Sequence, residues 1–180
     1  FRPSLARLDV NVTGLAAGET VQSVTVGLDG YTFYDGGTVD FAGTAEPVFS
    51  AADVNAAVRV LPGVSASGDP AGYMVGIVPL DLGGRSARMD VTVITRSGQS
   101  GKRYTASFVA TELAAATRYT VKMDVASLQS EEVTYIEDGT LDAINNDKDG
   151  YFILTDDMTL DAMPNITDFG GTLDGDGHTI

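Results

Sequence analysis

The sequence predicts an all-β protein in which an antiparallel β-sandwich is followed by a short β-helix-like segment. Short runs that alternate apolar and polar residues recur through about the first 130 residues, with Gly-rich turns between them. Beyond that point the apolar residues come in short bursts separated by Asn, Asp and Gly. Alternation with a period of two is typical of half-buried strands, whereas short bursts between polar turns suit the narrow coils of a parallel β-helix.

Six runs are predicted to be strands of the sandwich. Four of them alternate clearly: LARLDVNV (5–12), VQSVTVGL (21–28), RMDVTVIT (88–95) and RYTVKMDV (118–125). In the first run, Leu8, Val10 and Val12 are expected to face the core while the residues between them face water. YMVGIVPL (73–80) is more continuously apolar, which predicts an inner strand, and RYTASFVA (103–110) is a further strand candidate.

Turn-forming segments separate these runs. They are rich in Gly, Ser, Asp and Pro and lie at 13–19, 35–38, 62–72, 81–86 and 96–102. Seven or so short strands with such spacing predict an antiparallel sandwich. The segment FSAADVNAAVRVL (49–61) has Ser50 at an N-cap position, so it is either a short helix or the approach to a strand.

Charge divides the chain near position 130. Of the 25 acidic residues, 13 fall in residues 131–180, where Lys148 is the single basic residue. This step predicts three parts: a sandwich over 1–128, an acidic linker over 129–148, and the first coil or coils of a β-helical repeat over 149–180. A net charge of −14 argues against a nucleic-acid partner, because binding phosphates requires clustered Lys and Arg.

The composition excludes some classes of protein and leaves others open. No apolar run of 18 residues occurs, so no transmembrane span is expected. The absence of cysteine excludes disulfides, thiolate metal sites and a cysteine nucleophile. Because the chain starts with Phe, we expect that a leader has been removed or that a longer protein has been cut.

The first region resembles the fimbrillin-like surface proteins of anaerobic gut and oral bacteria. The resemblance rests on SLARLDVNVTGL, VQSVTVGLDG and above all ELAAATRYTVKMDVAS (112–127), which follows the extended run RYTASFVATEL. The family turn before the closing Tyr-Thr-Val strand usually carries a Gly, which this chain replaces within residues 114–117. The resemblance implies a fimbrillin- or transthyretin-like sandwich over about 1–128.

The second region resembles the entry into GLUG-type repeats, a β-helix-like module of bacterial surface proteins. The match runs through DGYFILTDDMTLDAMPNITDFGGTLDGDGHTI (149–180), in both spacing and residue identity. Such repeats normally continue into further coils, so we expect this module to be truncated here. Leu173 and Ile180 are expected to point inward, with His178 as a turn residue of the repeat.

Together the two resemblances imply an exported, outer membrane-associated protein of the bacterial cell surface. Its expected role is non-enzymatic, in adhesion or as a component of a surface fibre (a fimbrium), with no cofactor and with no catalytic or metal-binding residues. The expected partners are other surface or fimbrial subunits, or host and glycan ligands. The alternative is a carbohydrate-binding module of a larger surface or glycan-degrading protein.

NNDKDGYFILTD (145–156) has the pattern of a calcium loop. Asn145, Asp147 and Asp149 take the first, third and fifth positions, Gly150 the sixth and Asp156 the twelfth. Hard oxygen ligands around a Gly turn are what calcium requires, although the twelfth position usually carries Glu. The other interpretation, which the repeat resemblance favours, is an Asx-rich turn that leads into a short strand.

Other residues suggest chemistry more weakly. His178 is a conceivable general base beside Asp174 or Asp176, but no recognisable nucleophile accompanies it. The adjacent acids Asp156–Asp157 and Glu131–Glu132 suggest glycoside hydrolysis. That reaction needs two carboxylates that face each other across a groove. Neighbouring residues of one strand point to opposite faces, which argues against this role.

Tyr31, Phe33 and Tyr34 form an aromatic cluster in DGYTFYDGG. Such a cluster either stacks on a sugar ring or belongs to the core, and the alternation of aromatic residues favours the core.

Overall fold

A computed structural model describes residues 5–33, 71–137, 140–160 and 165–180, together with the backbone of short strands between them. Fourteen strands are described, with a 3₁₀ turn at Val125–Ser127 and one short helix, α1, at Ala143–Asn146. The strands are β1 (Ala6–Thr13), β2 (Thr20–Leu28), β3 (Phe33–Tyr34), β4 (Gly37–Thr38), β5 (Val48–Phe49), β6 (Val54–Asn55), β7 (Ala57–Val60), β8 (Ala71–Ile77), β9 (Ala87–Ser97), β10 (Ser100–Ala110), β11 (Arg118–Asp124), β12 (Ser130–Ile136), β13 (Tyr151–Leu154) and β14 (Thr172–Asp174).

The described strands form two main sheets. The smaller has the order β11-β1-β8, in which β1 runs parallel to β11 and antiparallel to β8. The larger has the order β14-β13-β12-β10-β9-β2-β7 and curls into a half-barrel. Two short pairs, β3–β6 and β4–β5, complete the pairing that is described.

The two sheets pack face to face on an apolar core. Leu8, Val10 and Val12 of β1 are at most 1% exposed, as their alternation predicts, and they pack with the inner faces of β2, β8, β9 and β11. The fold class predicted from the sequence, an all-β sandwich, is confirmed.

Three parallel strands extend the larger sheet beyond the sandwich. β12 pairs antiparallel with β10 on one side and parallel with β13 on the other, and β13 pairs parallel with β14. On one face of these strands a second apolar cluster buries Ile136, Ile144, Phe152 and Leu154. Parallel pairing of short strands above a narrow apolar interior is the arrangement that a β-helix-like segment requires.

Two expectations about individual segments are revised. The run at 73–80 is not an inner strand, because β8 lies at the edge of the three-stranded sheet as described. It looked continuously apolar because its outer positions carry Gly76 and Met74, and Met74 is 60% exposed. The segment 129–148, predicted as a linker, contains β12 and helix α1.

Some other predictions fall partly outside the described residues. Within 49–61 the described backbone forms strands (β6, β7 and the end of β5), and the turn segment 62–72 is described only from Ala71 onward. The turn that carries Gly in the resembled family places Ala116 at φ 56°, in the left-handed region. Its N–H donates a hydrogen bond to the carbonyl oxygen of Leu5, at 3.1 Å.

Candidate functional site

A β-bulge in β2 turns one hydroxyl to the outer face of the larger sheet. The pairing of β2 with β9 shifts between Val21, which lies opposite Thr95, and Ser23, which lies opposite Ile94. The extra residue, Gln22, allows both Val21 and Val24 to face the core although they are three positions apart. Ser23 therefore shares the outer face with Ile94.

A cavity of about 130 Å³ lies at this outer face. Its lining comes from β2, β9, β12, β13 and the C-terminal turn. These residues are Gln22, Ser23, Ile94, Arg96, Tyr135, Ile153, Leu154, Thr155, Asp176 and His178. Segments that are far apart in the sequence thus contribute polar groups to one small space with apolar walls.

Arg96 forms one side of this cavity and is held by several contacts. Its guanidinium lies 4.6 Å from the ring centroid of Tyr135, a cation–π distance. Its Nε donates to the carbonyl oxygen of Gly98 at 2.8 Å, and its Nη2 forms an ion pair with Glu137. The Tyr135 hydroxyl in turn donates to the carbonyl oxygen of Thr95 at 3.0 Å. These contacts fix the position of the guanidinium.

His178 enters the cavity from the C-terminal turn, and its carboxylate neighbour is Asp157. The His178 Nδ1 lies 3.6 Å from Asp157 Oδ1, which also accepts hydrogen bonds from the backbone N–H and the hydroxyl of Thr179 at 2.8 and 3.2 Å. These bonds, the backbone one first, lower the pKa of Asp157. The sequence suggested Asp174 or Asp176 as the neighbour of His178; of these, Asp176 lines the same cavity.

The calcium-loop pattern is divided by a strand. Asn145 belongs to helix α1, and the N–H of Gly150 donates to the carbonyl oxygen of Asp147 at 3.3 Å, which is a turn. The four residues of β13 then separate this turn from Asp156 by about 13 Å. Positions one to five and position twelve therefore lie at opposite ends of β13. Within the described ranges, no group of three or more His, Asp or Glu side chains is placed to share a metal ion.

The paired carboxylates have separate surroundings. Glu131 accepts a hydrogen bond from Arg103 at 2.8 Å, whereas Glu132 lines a different small cavity beside Lys102. Asp157 contacts Thr179 as described above, while its neighbour Asp156 accepts only a long hydrogen bond, of 3.4 Å, among the contacts described. Each pair thus splits between two environments, as expected for adjacent residues of an extended chain.

The predicted aromatic cluster divides between the core and the surface. Phe33 is 1% exposed and belongs to the sandwich core, whereas the side chain of Tyr34 lies outside the described residues. Tyr31 packs against the core and also lines an open cavity of about 430 Å³. Asp29, Arg88 and Asp90 line the same cavity.

The polar groups of this second cavity are linked to each other. Arg88 Nε donates to Asp90 Oδ1 at 2.8 Å, and the hydroxyl of Ser107 donates to the same oxygen at 2.6 Å. The bond from Arg88 comes first among the causes that lower the pKa of Asp90. An aromatic ring beside fixed carboxylate and guanidinium groups is a surface on which a sugar can stack and form hydrogen bonds.

No protein-family model matches the chain, and no curated protein is significantly similar to it. Among the described residues there is no helix both long enough and apolar enough to cross a membrane.

Proposed function

We propose that this chain is a non-enzymatic module of the bacterial cell surface, exported and acting in adhesion or as a structural component of a surface fibre. One observation carries the proposal. Strand β1 lies between β11 and β8, with seven residue pairs to each of them. Its inner face is buried along the whole strand.

This pairing is suited to resisting tension along the chain. β1 and β11 are parallel, and their ladder runs from the pair Arg7–Arg118 to the pair Thr13–Asp124. The start of β1 and the end of β11 therefore lie at opposite ends of the ladder. Tension between those two points shears the ladder, so that all of its hydrogen bonds are loaded together. Peeling the strands from one end would instead load the bonds one at a time. A protein that holds a cell to a surface works under such tension.

Single-molecule pulling tests this reasoning, and the absence of native cysteine makes specific attachment simple. Tethers through Leu5→Cys and Ser127→Cys load the β1–β11 ladder in shear. Tethers through Leu5→Cys and Ala115→Cys pull at one end and peel it. We expect a several-fold higher unfolding force in the first geometry, and equal forces would contradict the mechanical argument. Labelling of intact cells with an antibody tests the surface location, and exclusive intracellular labelling would reject it.

The second candidate function is carbohydrate binding, which the cavity beside Tyr31 favours. Glycan arrays test it directly: binding that is lost in Tyr31→Ala supports this function. The matched control is Phe169→Ala, which removes a partly exposed aromatic ring from the second region. Glycan binding that survives in Tyr31→Ala, or that is lost equally in the control, would reject a role for this cavity.

A further inference from the structure

Ser23 is a buried hydroxyl without a hydrogen-bond partner in the described structure. The residue is 1% exposed, its Oγ makes no hydrogen bond, and Ser23 is one of the residues that line the cavity. Burying a hydroxyl without a partner destabilises a protein, so such a group calls for a specific explanation. The bulge at Gln22, which places this hydroxyl on the outer face, is the kind of irregularity that re-aims side chains at binding sites.

We propose that the cavity binds a small neutral polyhydroxyl group, either the terminal sugar residue of a glycan or a free polyol. A hydroxyl of such a ligand is both donor and acceptor, and it matches the unpaired hydroxyl of Ser23. The other polar residues of the lining include both donor and acceptor types, namely Arg96, Asp176 and Thr155.

The charge of the cavity favours a neutral ligand over an ion. One guanidinium and one carboxylate line it, and Glu137 already pairs with that guanidinium. A free anion is also repelled at long range by a chain of net charge −14. His178, whose Nδ1 lies beside Asp157, adds a further polar residue to the lining.

The size of the cavity limits the ligand to one such group. Its volume is about 130 Å³. Pockets for drug-sized ligands are larger, at roughly 300–1,000 Å³. Ile94 and Ile153 provide an apolar wall that can contact the C–H face of the ligand. The rest of a glycan would lie outside. This site is separate from the Tyr31 cavity, and the inference does not depend on the proposed function.

Titration of the full chain with glycerol, glucose, galactose and mannose, followed by NMR chemical-shift changes, tests the proposal. We expect saturable binding of at least one compound, about tenfold weaker in Ser23→Ala because one hydrogen bond is lost. Ser130→Ala, which changes an exposed serine of β12, should bind as the parent does. Glycerol alone binding indicates a free polyol, whereas a preference for one sugar indicates a terminal glycan residue.

The melting temperature of Ser23→Ala distinguishes a ligand-binding hydroxyl from a structural one. If the hydroxyl serves the ligand, its removal relieves an unpaired buried group, and the ligand-free variant should melt at the same temperature as the parent or higher. Failure of all four compounds to bind at about 50 mM would overturn the proposal, since Kd values near 1 mM correspond to only about 4 kcal/mol. Equal binding by Ser23→Ala and the parent would also overturn it.

Discussion

Replacing Ile153 by Ala tests whether the sandwich and the parallel strands fold as one unit. Ile153 is 2% exposed and belongs to a cluster on the outer face of the larger sheet, together with Ile94 of β9 and with Val133 and Tyr135 of β12. Loss of a buried Ile side chain to Ala costs about 2–5 kcal/mol. We expect about 3 kcal/mol, near the middle of this range.

For a chain of this size, 1 kcal/mol lowers the melting temperature by about 2–4 °C. The expected decrease is therefore about 9 °C, in a single calorimetric transition for the whole chain. Ile180→Ala is the control. Ile180 was expected to point inward but is 57% exposed, so its loss should change the melting temperature by less than about 2 °C. A minor transition that shifts alone, with an unchanged main transition, would refute the reasoning that the seven-stranded sheet couples the two regions.

Three further predictions concern single positions. Ala116→Gly should raise the free energy of unfolding, measured in urea, by up to about 1 kcal/mol. Gly avoids the cost of about 1–2 kcal/mol that an L-residue has in the left-handed conformation, but its greater conformational entropy in the unfolded chain offsets part of this gain. A lower free energy of unfolding would refute the prediction. Gly101→Ala should cost at least about 3 kcal/mol in the same assay, because a Cβ there would overlap the carbonyl oxygen of Thr95; a neutral result would show that the hairpin adapts freely. Hydrogen bonds from Arg7 and then Arg118 lower the pKa of Asp9 in the folded protein. The ionised carboxylate therefore stabilises the fold at pH values above about 3.9, the pKa of Asp in the unfolded chain. This stabilisation is lost as the pH falls through the lower pKa of the folded state. The melting temperature of Asp9→Asn should accordingly be lower than that of the parent at pH 7, and a difference that persists undiminished at pH 2 would contradict this assignment.

Much of the sandwich could be predicted because its strands obey simple alternation. Leu8, Val10 and Val12 are buried as the pattern requires, and β1 coincides with the predicted run within one residue at each end. The edge position of β8 was not predictable in the same way, since glycines at outer positions hide the difference between the two faces. Asp9 was expected to face water, yet it is 5% exposed because two arginines cover it. Alternation predicts which face of the sheet a side chain lies on, but it does not predict the contacts that outer side chains make with each other.

The candidate site depended on long-range geometry and was largely beyond sequence reasoning. His178 and the acidic turns were candidate site residues because their side chains are reactive, whereas Ser23 belongs to no recognised motif. A signal was nevertheless present: Val21 and Val24 are three positions apart, which breaks the period of two and indicates a bulge. The meeting of Ser23 with the turn that carries Asp176 follows from the curl of a whole sheet, and no local pattern encodes that curl.

A buried polar network separates the core of the sandwich from the interior of the parallel strands. Glu19 is 8% exposed and accepts hydrogen bonds from the hydroxyls of Thr95 and Tyr104 and from the backbone N–H of Ala16. Burial first, and then the charge of Glu19, raise the pKa of Tyr104 to about 12. The apolar cluster of the sandwich includes Tyr104, while Ile136 belongs to the second cluster.

A charged network at this point interrupts apolar packing on the inner face, although backbone hydrogen bonds continue from β10 to β12. On the outer face, the cluster of Ile94 and Ile153 bridges the same strands without interruption. The two regions are therefore joined through the sheet and its outer face rather than through one shared core. This is why Ile153, and not a residue of either inner cluster, is the position at which their coupling is decided.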